Sequence, residues 1–416
     1  MLDSEKVFNS FAFKIKGYYR LARKRIDSGV NALKGQLGIR SFAGEISTEI
    51  SEFLIKTEDN LPFVYKRLFM IEPLRESTFY FKRNAEKVKL VDALQKWQKG
   101  AFTPVLIYGE KGSGVSTFVH MFVKDSIQRK PAVFSVIPAR RILTEEDLLG
   151  MLGQSFRGEA FLKSVELFDF IEKSEPFVAF ADKLHLMYLR QPGGFNILKR
   201  FFEIISVTSR KIFWICTCGL YSSSYLNKAI GLYGYFPVII SMQNLASEDI
   251  KKVIMLRHKA SGYDLFFNPS RSDMMDRSFV KKDEEQRQQY LQQKYFSQLQ
   301  SHTQSNIAFA LQLWIKCAGK AENSRINIQS LDGIDFGFVY NLSAEVIFGL
   351  HALILHETLD VFQLSQVLGI SRRQAYLMLM RLTDRGIVID DKGFYSIHPL
   401  LYRQTISLLK DKNLIH

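Results

Sequence analysis

The sequence predicts an α/β fold built on a parallel sheet, followed by a helical segment and a small C-terminal domain. Two patterns support this prediction. Short apolar stretches alternate with helical stretches between residues 105 and 241, as expected for strands that are joined by crossover helices. From Leu342 onward, three helical stretches precede two short apolar stretches around a turn at residues 390–393, which predicts helices and a β-hairpin.

The composition is that of a globular protein. The chain has 416 residues, of which 47% are hydrophobic and 24% charged, enough for two or three domains with their own cores. Its three cysteines provide no disulfide framework and favour a reducing compartment. The sequence has no run of 18 apolar residues and no secretory signal pattern, so we expect a cytoplasmic location.

Residues 1–60 form the first segment and begin with a predicted basic amphipathic helix. Residues 1–40 carry nine Lys or Arg against three Asp or Glu, and apolar residues recur at helical spacing between Phe11 and Ile26. Together with the net charge of +14, this predicts an anionic partner such as nucleic acid, an acidic protein or a membrane surface bound through residues 7–34. Packing of the helix on its own domain is the alternative.

A glycine-rich loop lies at residues 105–117, between a predicted strand and a predicted helix. Its spacing fits G-x-x-x-x-G-K-[ST], except that Val115 occupies the lysine position. Backbone N–H groups of such a loop and the helix dipole favour a bound phosphate. The predicted ligand-binding residues of this loop are Gly109, Gly112, Gly114, Ser116 and Thr117. A glycine-rich turn without a ligand is the alternative interpretation.

Asp182 and Thr217 each lie at the end of a later predicted strand. The apolar stretch 177–181 ends in Asp182, and the stretch 211–216 ends in Thr217. Nucleotide chemistry needs a hydroxyl and an aspartate to hold Mg²⁺. Ser116 and Asp182 are therefore the predicted metal-binding residues, conditional on a bound nucleotide.

These features resemble the P-loop ATPases of the AAA+ and STAND kind over residues 61–320, where Thr217 matches the polar residue of the fourth strand. The resemblance implies a P-loop NTPase core at residues 61–245 and a helical lid with a Gln-rich, exposed or partly ordered insertion at residues 246–340. It also implies ATP or ADP with Mg²⁺ as the ligand, or an empty site, and a homo- or hetero-oligomer. The segment 81–83 resembles the part of these proteins that packs near the adenine.

Three positions depart from that family. Val115 replaces the phosphate-binding lysine, Lys183 replaces the carboxylate that orients water, and Ala308 stands where the lid carries an arginine. In an alternative register Asp182 takes the second acidic position, and one carboxylate is still lost. We therefore expect no catalytic residues and a pseudo-ATPase with weak or no nucleotide binding. It would serve regulation or assembly, alone or beside an active paralogue.

Residues 341–416 predict a winged-helix domain. The pattern is three helices, with a short turn before the third, and then a hairpin. In DNA-binding proteins of this type, the third helix contacts bases and phosphates. The candidate DNA-binding residues are Arg372, Arg373, Gln374 and Arg381. The alternative is a domain that packs on protein, as in many AAA+ and STAND proteins.

Overall fold

The computed structural model describes residues 48–55, 60–74, 76–127 and 131–415. The predicted basic helix and its membrane contact at residues 7–34 lie outside the described residues. We describe the larger of two compact units, which comprises Ile46–Tyr340 and Ala344–His416. Within the described ranges, no helix combines the length and the apolar content needed to cross a membrane.

A five-stranded sheet forms the centre of the molecule, and all of its strands are parallel. In space the order is β2-β3-β4-β1-β5. The α/β class with a parallel sheet is confirmed. The strands are β1 (Val105–Gly109), β2 (Val133–Val136), β3 (Phe177–Ala181), β4 (Ile212–Gly219) and β5 (Val238–Met242).

Helices cover both faces of this sheet, because alternate side chains of each buried strand point to opposite sides. In β4, Trp214 packs in the core on one face while Phe213 packs in the core on the other. The helices up to the end of the sheet are α1 (Thr48–Ile55), α2 (Phe63–Leu68), α3 (Asn84–Gln98), α4 (Val115–Ser126), α5 (Glu145–Arg157), α6 (Ser164–Lys173), α7 (Asn196–Thr208) and α8 (Leu220–Ile230).

Residues 246–340 follow the main sheet, and we call them the lid region. This region contains helices and a small three-stranded sheet with the order β6-β8-β7. Its elements are α9 (Ser247–Ala260), β6 (Asp264–Phe267), α10 (Arg271–Met275), α11 (Arg277–Val280), α12 (Glu284–Thr303), α13 (Ile307–Cys317), β7 (Ala318–Glu322) and β8 (Arg325–Ile328).

The glutamine-rich stretch differs from the expected exposed or partly ordered insertion. Most of it is the 20-residue helix α12, and Leu291, Tyr295 and Leu299 are buried on one side of it. Tyr295 packs edge-on against the buried ring of Trp314 in α13, with 5.5 Å between the ring centroids. The apolar stripe explains the helix, because four-residue spacing places these side chains on one face.

The C-terminal part has the order of elements predicted for a winged helix. Helix α15 ends at Gly369, which has a φ of 66°, and α16 begins with a capping box between Ser371 and Gln374. A last helix follows the hairpin and was not predicted. The elements are α14 (Ala344–His356), α15 (Val361–Leu368), α16 (Arg372–Asp384), β9 (Val388–Asp391), β10 (Phe394–Ile397) and α17 (Tyr402–Asp411).

Candidate functional site

The glycine-rich loop connects β1 to α4 at the carboxyl edge of the sheet. Gly112 and Gly114 have φ angles of 83° and 91°, a region that glycine adopts without strain. Gly114 is also the N-cap of α4, and it has no side chain to bond the free N–H groups of the first turn. Residues 109–117 line a cavity, so this helix N-terminus suits an anion there.

Ser116, Asp182 and Thr217 meet at the edge of the sheet. The Ser116 hydroxyl donates to Asp182 Oδ2 at 3.2 Å, and the Thr217 hydroxyl donates to Asp182 Oδ1. Thr217 Oγ1 in turn accepts from the Lys183 N–H at 3.1 Å. These bonds hold a buried carboxylate next to the hydroxyl at the start of α4.

This pair of oxygen ligands fits Mg²⁺ bound together with phosphate. Mg²⁺ in nucleotide sites is usually held by one or two protein oxygens, phosphate oxygens and water. Across the residues that the structure describes, no group of three or more His, Cys, Asp or Glu could hold a metal by itself. A metal at Ser116 and Asp182 would therefore need ligand oxygens to complete its shell.

The cavity has a volume of about 250 Å³ and two chemically different ends. This volume lies just below the roughly 300–1,000 Å³ typical of ligand sites. One end is the glycine-rich loop with Asp182 and Thr217. The other end is mainly apolar, but it also holds the Arg257 guanidinium, 5.5 Å from the ring centroid of Phe79. Its apolar lining consists of Met70, Ile71, Pro73, Phe79, Phe81, Leu245, Val253 and Leu311. An apolar slot beside a phosphate loop fits the base and the phosphates of a nucleotide.

The lead-in segment before α3 is bonded to the loop. The Thr117 hydroxyl accepts from the Leu74 N–H at 3.1 Å, so this predicted ligand residue is used for a backbone contact. The Arg83 guanidinium donates to the carbonyls of Gln243 at 2.7 Å and Ser113 at 3.3 Å. Phe81 and Arg83 of the segment 81–83 also line the cavity.

The three departures from the AAA+ pattern all line the same cavity. Val115 packs against the core on the α4 side of the sheet. Lys183 has a left-handed backbone with a φ of 61° and follows Asp182 directly. The Ala308 N–H donates to the Gly112 carbonyl at 3.3 Å, so the start of α13 lies against the glycine loop. Neither Val115 nor Ala308 can place a charge on a phosphate.

A buried ion pair joins the loop to the lid and to the last helix. Arg403 at the start of α17 pairs with Glu110, and their side chains are only 8% and 4% exposed. Arg403 also donates to the Thr303 carbonyl at 3.1 Å, while Asn306 Nδ2 donates to Glu110 Oε2 at 3.3 Å. No sequence pattern marks this contact, because nearly three hundred residues separate the two partners.

Three more ionisable side chains, which no sequence motif singled out, reach the loop end of the cavity. Lys111, His185 and Glu357 all line it. Burial lowers the pKa of Lys111, nearby Lys183 lowers it further, and Glu357 opposes the shift. Burial also lowers the pKa of His185, whose Nε2 lies 3.5 Å from Glu357 Oε2. Lys111 could have been noticed as the only lysine inside the loop, whereas no sequence signal marks Glu357.

The candidate DNA-binding residues lie at α16. Arg372, Arg373 and Gln374 are exposed at its start, and the Arg372 guanidinium lies 4.2 Å from the ring centroid of Phe362. Gln374 Oε1 accepts from the N–H and the hydroxyl of Ser371 at 3.0 and 2.9 Å, so it is occupied by the helix cap. Arg381 is half-buried in the same helix.

The comparisons with known proteins gave structural likenesses only. No family model and no curated protein matches the sequence. The Walker-type ATPase of Pyrococcus abyssi is 13% identical with a TM-score of 0.41, over 82% of this chain and 99% of that one. The ORC2 protein of Aeropyrum pernix, solved as ADPNP–ADP complexes, is 14% identical with a TM-score of 0.42, over 81% and 97%. The RuvB Holliday junction branch migration motor of Thermotoga maritima is 12% identical with a TM-score of 0.36, over 80% and 98%.

The fold itself defines a class. A five-stranded parallel sheet with a glycine-rich loop between β1 and α4, and an aspartate after β3, is the arrangement of the P-loop NTPase fold.

Proposed function

We propose that this protein is an AAA+-like P-loop module that binds a nucleotide with Mg²⁺ but does not hydrolyse it at enzymatic rates. It acts as a regulatory or structural subunit of a homo- or hetero-oligomer, in which an active paralogue would supply the hydrolysis. The observation that carries this proposal is the cavity. It combines an apolar slot, a glycine loop and the Ser116–Asp182 pair, while Val115, Lys183 and Ala308 occupy the positions of the catalytic groups.

The chemistry separates binding from hydrolysis. A charge-assisted hydrogen bond from the missing lysine would contribute roughly 1.5–3 kcal/mol, so its loss weakens binding without removing the other contacts. Mg²⁺, when bound, would neutralise phosphate charge. Hydrolysis also needs a group that orients and deprotonates water. The ammonium of Lys183 accepts no proton, so the position after Asp182 cannot supply that group.

The contacts around the loop support a regulatory role. Glu110 is bonded both to Arg403 in α17 and to Asn306 at the start of α13. A ligand that moves the loop would therefore act on the lid and on the C-terminal domain together. Such coupling suits a subunit whose conformation changes when nucleotide binds and which does not need to hydrolyse it.

Calorimetric titration of the purified full-length chain with ATP and ADP, with Mg²⁺ and with EDTA, tests the proposal. We expect saturable binding that is tighter with Mg²⁺. Asp182→Asn should abolish the effect of Mg²⁺, because one ligand charge is lost, whereas Asp169→Asn on the exposed side of α6 should not change it. Absence of binding by any nucleotide at millimolar concentration would contradict the proposal.

DNA binding through α16 is a second candidate, favoured by the exposed pair Arg372 and Arg373. Binding of duplex DNA, followed by fluorescence anisotropy against salt, should weaken in the double variant Arg372→Ala/Arg373→Ala. The slope of log K against log[salt] should fall by about 2, because two phosphate contacts are lost. Arg271→Ala/Arg277→Ala removes two exposed lid arginines as a matched control. No binding at low salt would exclude this function.

A further inference from the structure

We propose that Lys111 and Lys183 are the phosphate-binding cations of this site in place of the lysine replaced by Val115. Glu357, which the C-terminal domain brings to the cavity, is the counter-ion that a phosphate group displaces. This inference rests on the proposed nucleotide binding and adds to it the residues that contact the terminal phosphates.

Contacts with other parts of the molecule fix the backbone of the loop around Lys111. The preceding residue, Glu110, is buried in its pair with Arg403, and the Lys111 carbonyl accepts from Asn306 Nδ2 at 2.8 Å. With the backbone fixed on both sides, the side chain lines the cavity beside the glycines. A lysine amine at this place lies close to where the backbone N–H groups would receive phosphate.

Lys183 follows β3 and lines the same end of the cavity, near enough to interact electrostatically with Lys111. Its N–H is bonded to Thr217, and its left-handed backbone follows the carboxylate of the predicted metal site. The charges of Lys111 and Lys183 repel each other, which adds to the effect of burial in lowering the pKa of Lys111, and Glu357 balances only one of them. A phosphate group with two negative charges would compensate both amines.

Three buried polar atoms in residues that line this end lack partners among the described residues. One of them, Glu110 Oε1, belongs to the carboxylate that pairs with Arg403 through its other oxygen, and two remain. They are Ser113 Oγ and His185 Nδ1, in residues that are 3% and 5% exposed, and both residues line the cavity. Buried polar atoms nearly always form hydrogen bonds, so an unpaired pair around one cavity indicates a missing polar ligand. Phosphate oxygens next to Lys111 would supply the acceptor for the Ser113 hydroxyl.

Hydrogen bonds from a buried arginine fix the backbone around Glu357 at the loop end of the cavity. Arg141, which is buried, donates to the carbonyls on both sides of it, at 3.2 Å to His356 and 2.7 Å to Thr358. It also donates at 2.6 Å to the carbonyl of His185. The Glu357 carboxylate lies against Gly219 at the end of β4, where a β-carbon would clash with Oε1. Carboxylate and phosphate would therefore compete for the Lys111 amine.

The test is calorimetric titration of full-length variants with ATP, ADP and adenosine in the presence of Mg²⁺. Lys111→Met should weaken ATP binding about tenfold to a hundredfold, because a charge-assisted contact is lost. Lys183→Met should weaken it by a smaller factor, and Glu357→Gln should tighten it. Adenosine affinity should stay unchanged in all three. Lys99→Met, an exposed lysine at the end of α3, is the matched control, and adding Val115→Lys to Lys111→Met should restore ATP binding.

The outcomes separate this inference from the proposed function. If the unaltered protein binds neither ATP nor adenosine, the proposed function is wrong. If it binds ATP and both lysine variants bind it equally well, nucleotide binding stands and the relocated cations are wrong. An equal loss of ATP and adenosine affinity in Lys111→Met also overturns the inference, since it indicates a structural role. Should Lys111→Met fail to fold, the ATP affinities of two other variants decide the result in the same way. These are Lys183→Met, at an exposed position, and Glu357→Gln.

Discussion

Single residues set the distance between the glycine loop and the lid. A β-carbon on Gly112 would lie 2.7 Å from the Ala308 β-carbon and 2.8 Å from Asn306 Oδ1, and the φ of 83° is itself unfavourable for other residues. The lid helix therefore approaches the loop more closely than any side chain at this position would permit. Glycine is needed here both for backbone conformation and for space.

We predict that Gly112→Ala destabilises the protein more than Gly158→Ala does. Gly158 has nearly the same φ, 82°, but nothing lies within 4 Å of an added β-carbon. Its substitution should cost about 1–2 kcal/mol for the left-handed backbone alone, whereas the contacts at Gly112 should add about 1–3 kcal/mol. Urea unfolding of both variants measures the difference. Equal losses would show that the lid does not press on the loop.

The site was partly predictable at this scale. Ser116, Asp182 and Thr217 could be placed together, because the carboxyl ends of parallel strands meet at one edge. Glu357 could not, because its position depends on the contacts of Arg141 with backbone carbonyls of both parts of the chain. Backbone hydrogen bonds of this kind leave no pattern in the sequence. The bond from Asn306 to the loop is likewise a tertiary feature.

At the scale of elements, the start of α17 connects three parts of the molecule. Arg403 bonds the end of α12 through the Thr303 carbonyl and pairs with Glu110 in the loop after β1. A buried charge without its partner is strongly unfavourable, so each member of the pair depends on the other. The C-terminal helix thereby stabilises the loop conformation as well as its own domain.

We predict that Arg403→Met destabilises the protein by about 3–5 kcal/mol, because it leaves the Glu110 carboxylate buried and uncompensated. Adding Glu110→Gln should recover part of the loss, since the amide oxygen can still accept from Asn306. Urea unfolding of the two single variants and the double variant forms the cycle that measures this coupling. Strict additivity of the two single effects would show that the pair does not link these elements.

Some of these helices and strands could be predicted from the sequence and others could not. The strands of the main sheet are apolar and bounded by turns, so β3 and β4 were predicted within two residues of their observed ends. Helix α12 was missed because its glutamines obscure a narrow apolar stripe, and the strands β6 to β8 were missed because each has only four or five residues. Tertiary packing decides such elements more than local pattern does.

At the scale of the whole molecule, buried histidines link stability to pH. Burial lowers the pKa of His351 to about 4, with a further contribution from Arg190, and burial likewise lowers that of His398 to about 4, helped by Lys316. In the unfolded chain each would titrate near pH 6.5. Between pH 6.5 and 4 the unfolded state therefore binds more protons, and stability falls as the pH is lowered.

We predict that the free energy of unfolding is lower at pH 5 than at pH 7. By pH 4 each of these two histidines would remove up to about 3 kcal/mol of stability, of which a large part is lost by pH 5. His351→Leu, which fills the buried site with a group that does not titrate, should show a smaller difference between the two pH values. Urea unfolding at both pH values measures it. An unchanged difference in His351→Leu would show that this residue is not buried in neutral form.

The proposed site binds ATP without hydrolysing it. The most direct test therefore measures ATP binding and ATP hydrolysis in the same sample. Purified full-length protein is mixed with Mg²⁺ and ATP labelled on the γ-phosphate, and bound label and released phosphate are measured over time. We predict that ATP is retained intact, with phosphate release far below the roughly 1–1,000 turnovers per second of typical enzymes. Release at such rates, lost on Asp182→Ala, would contradict the account.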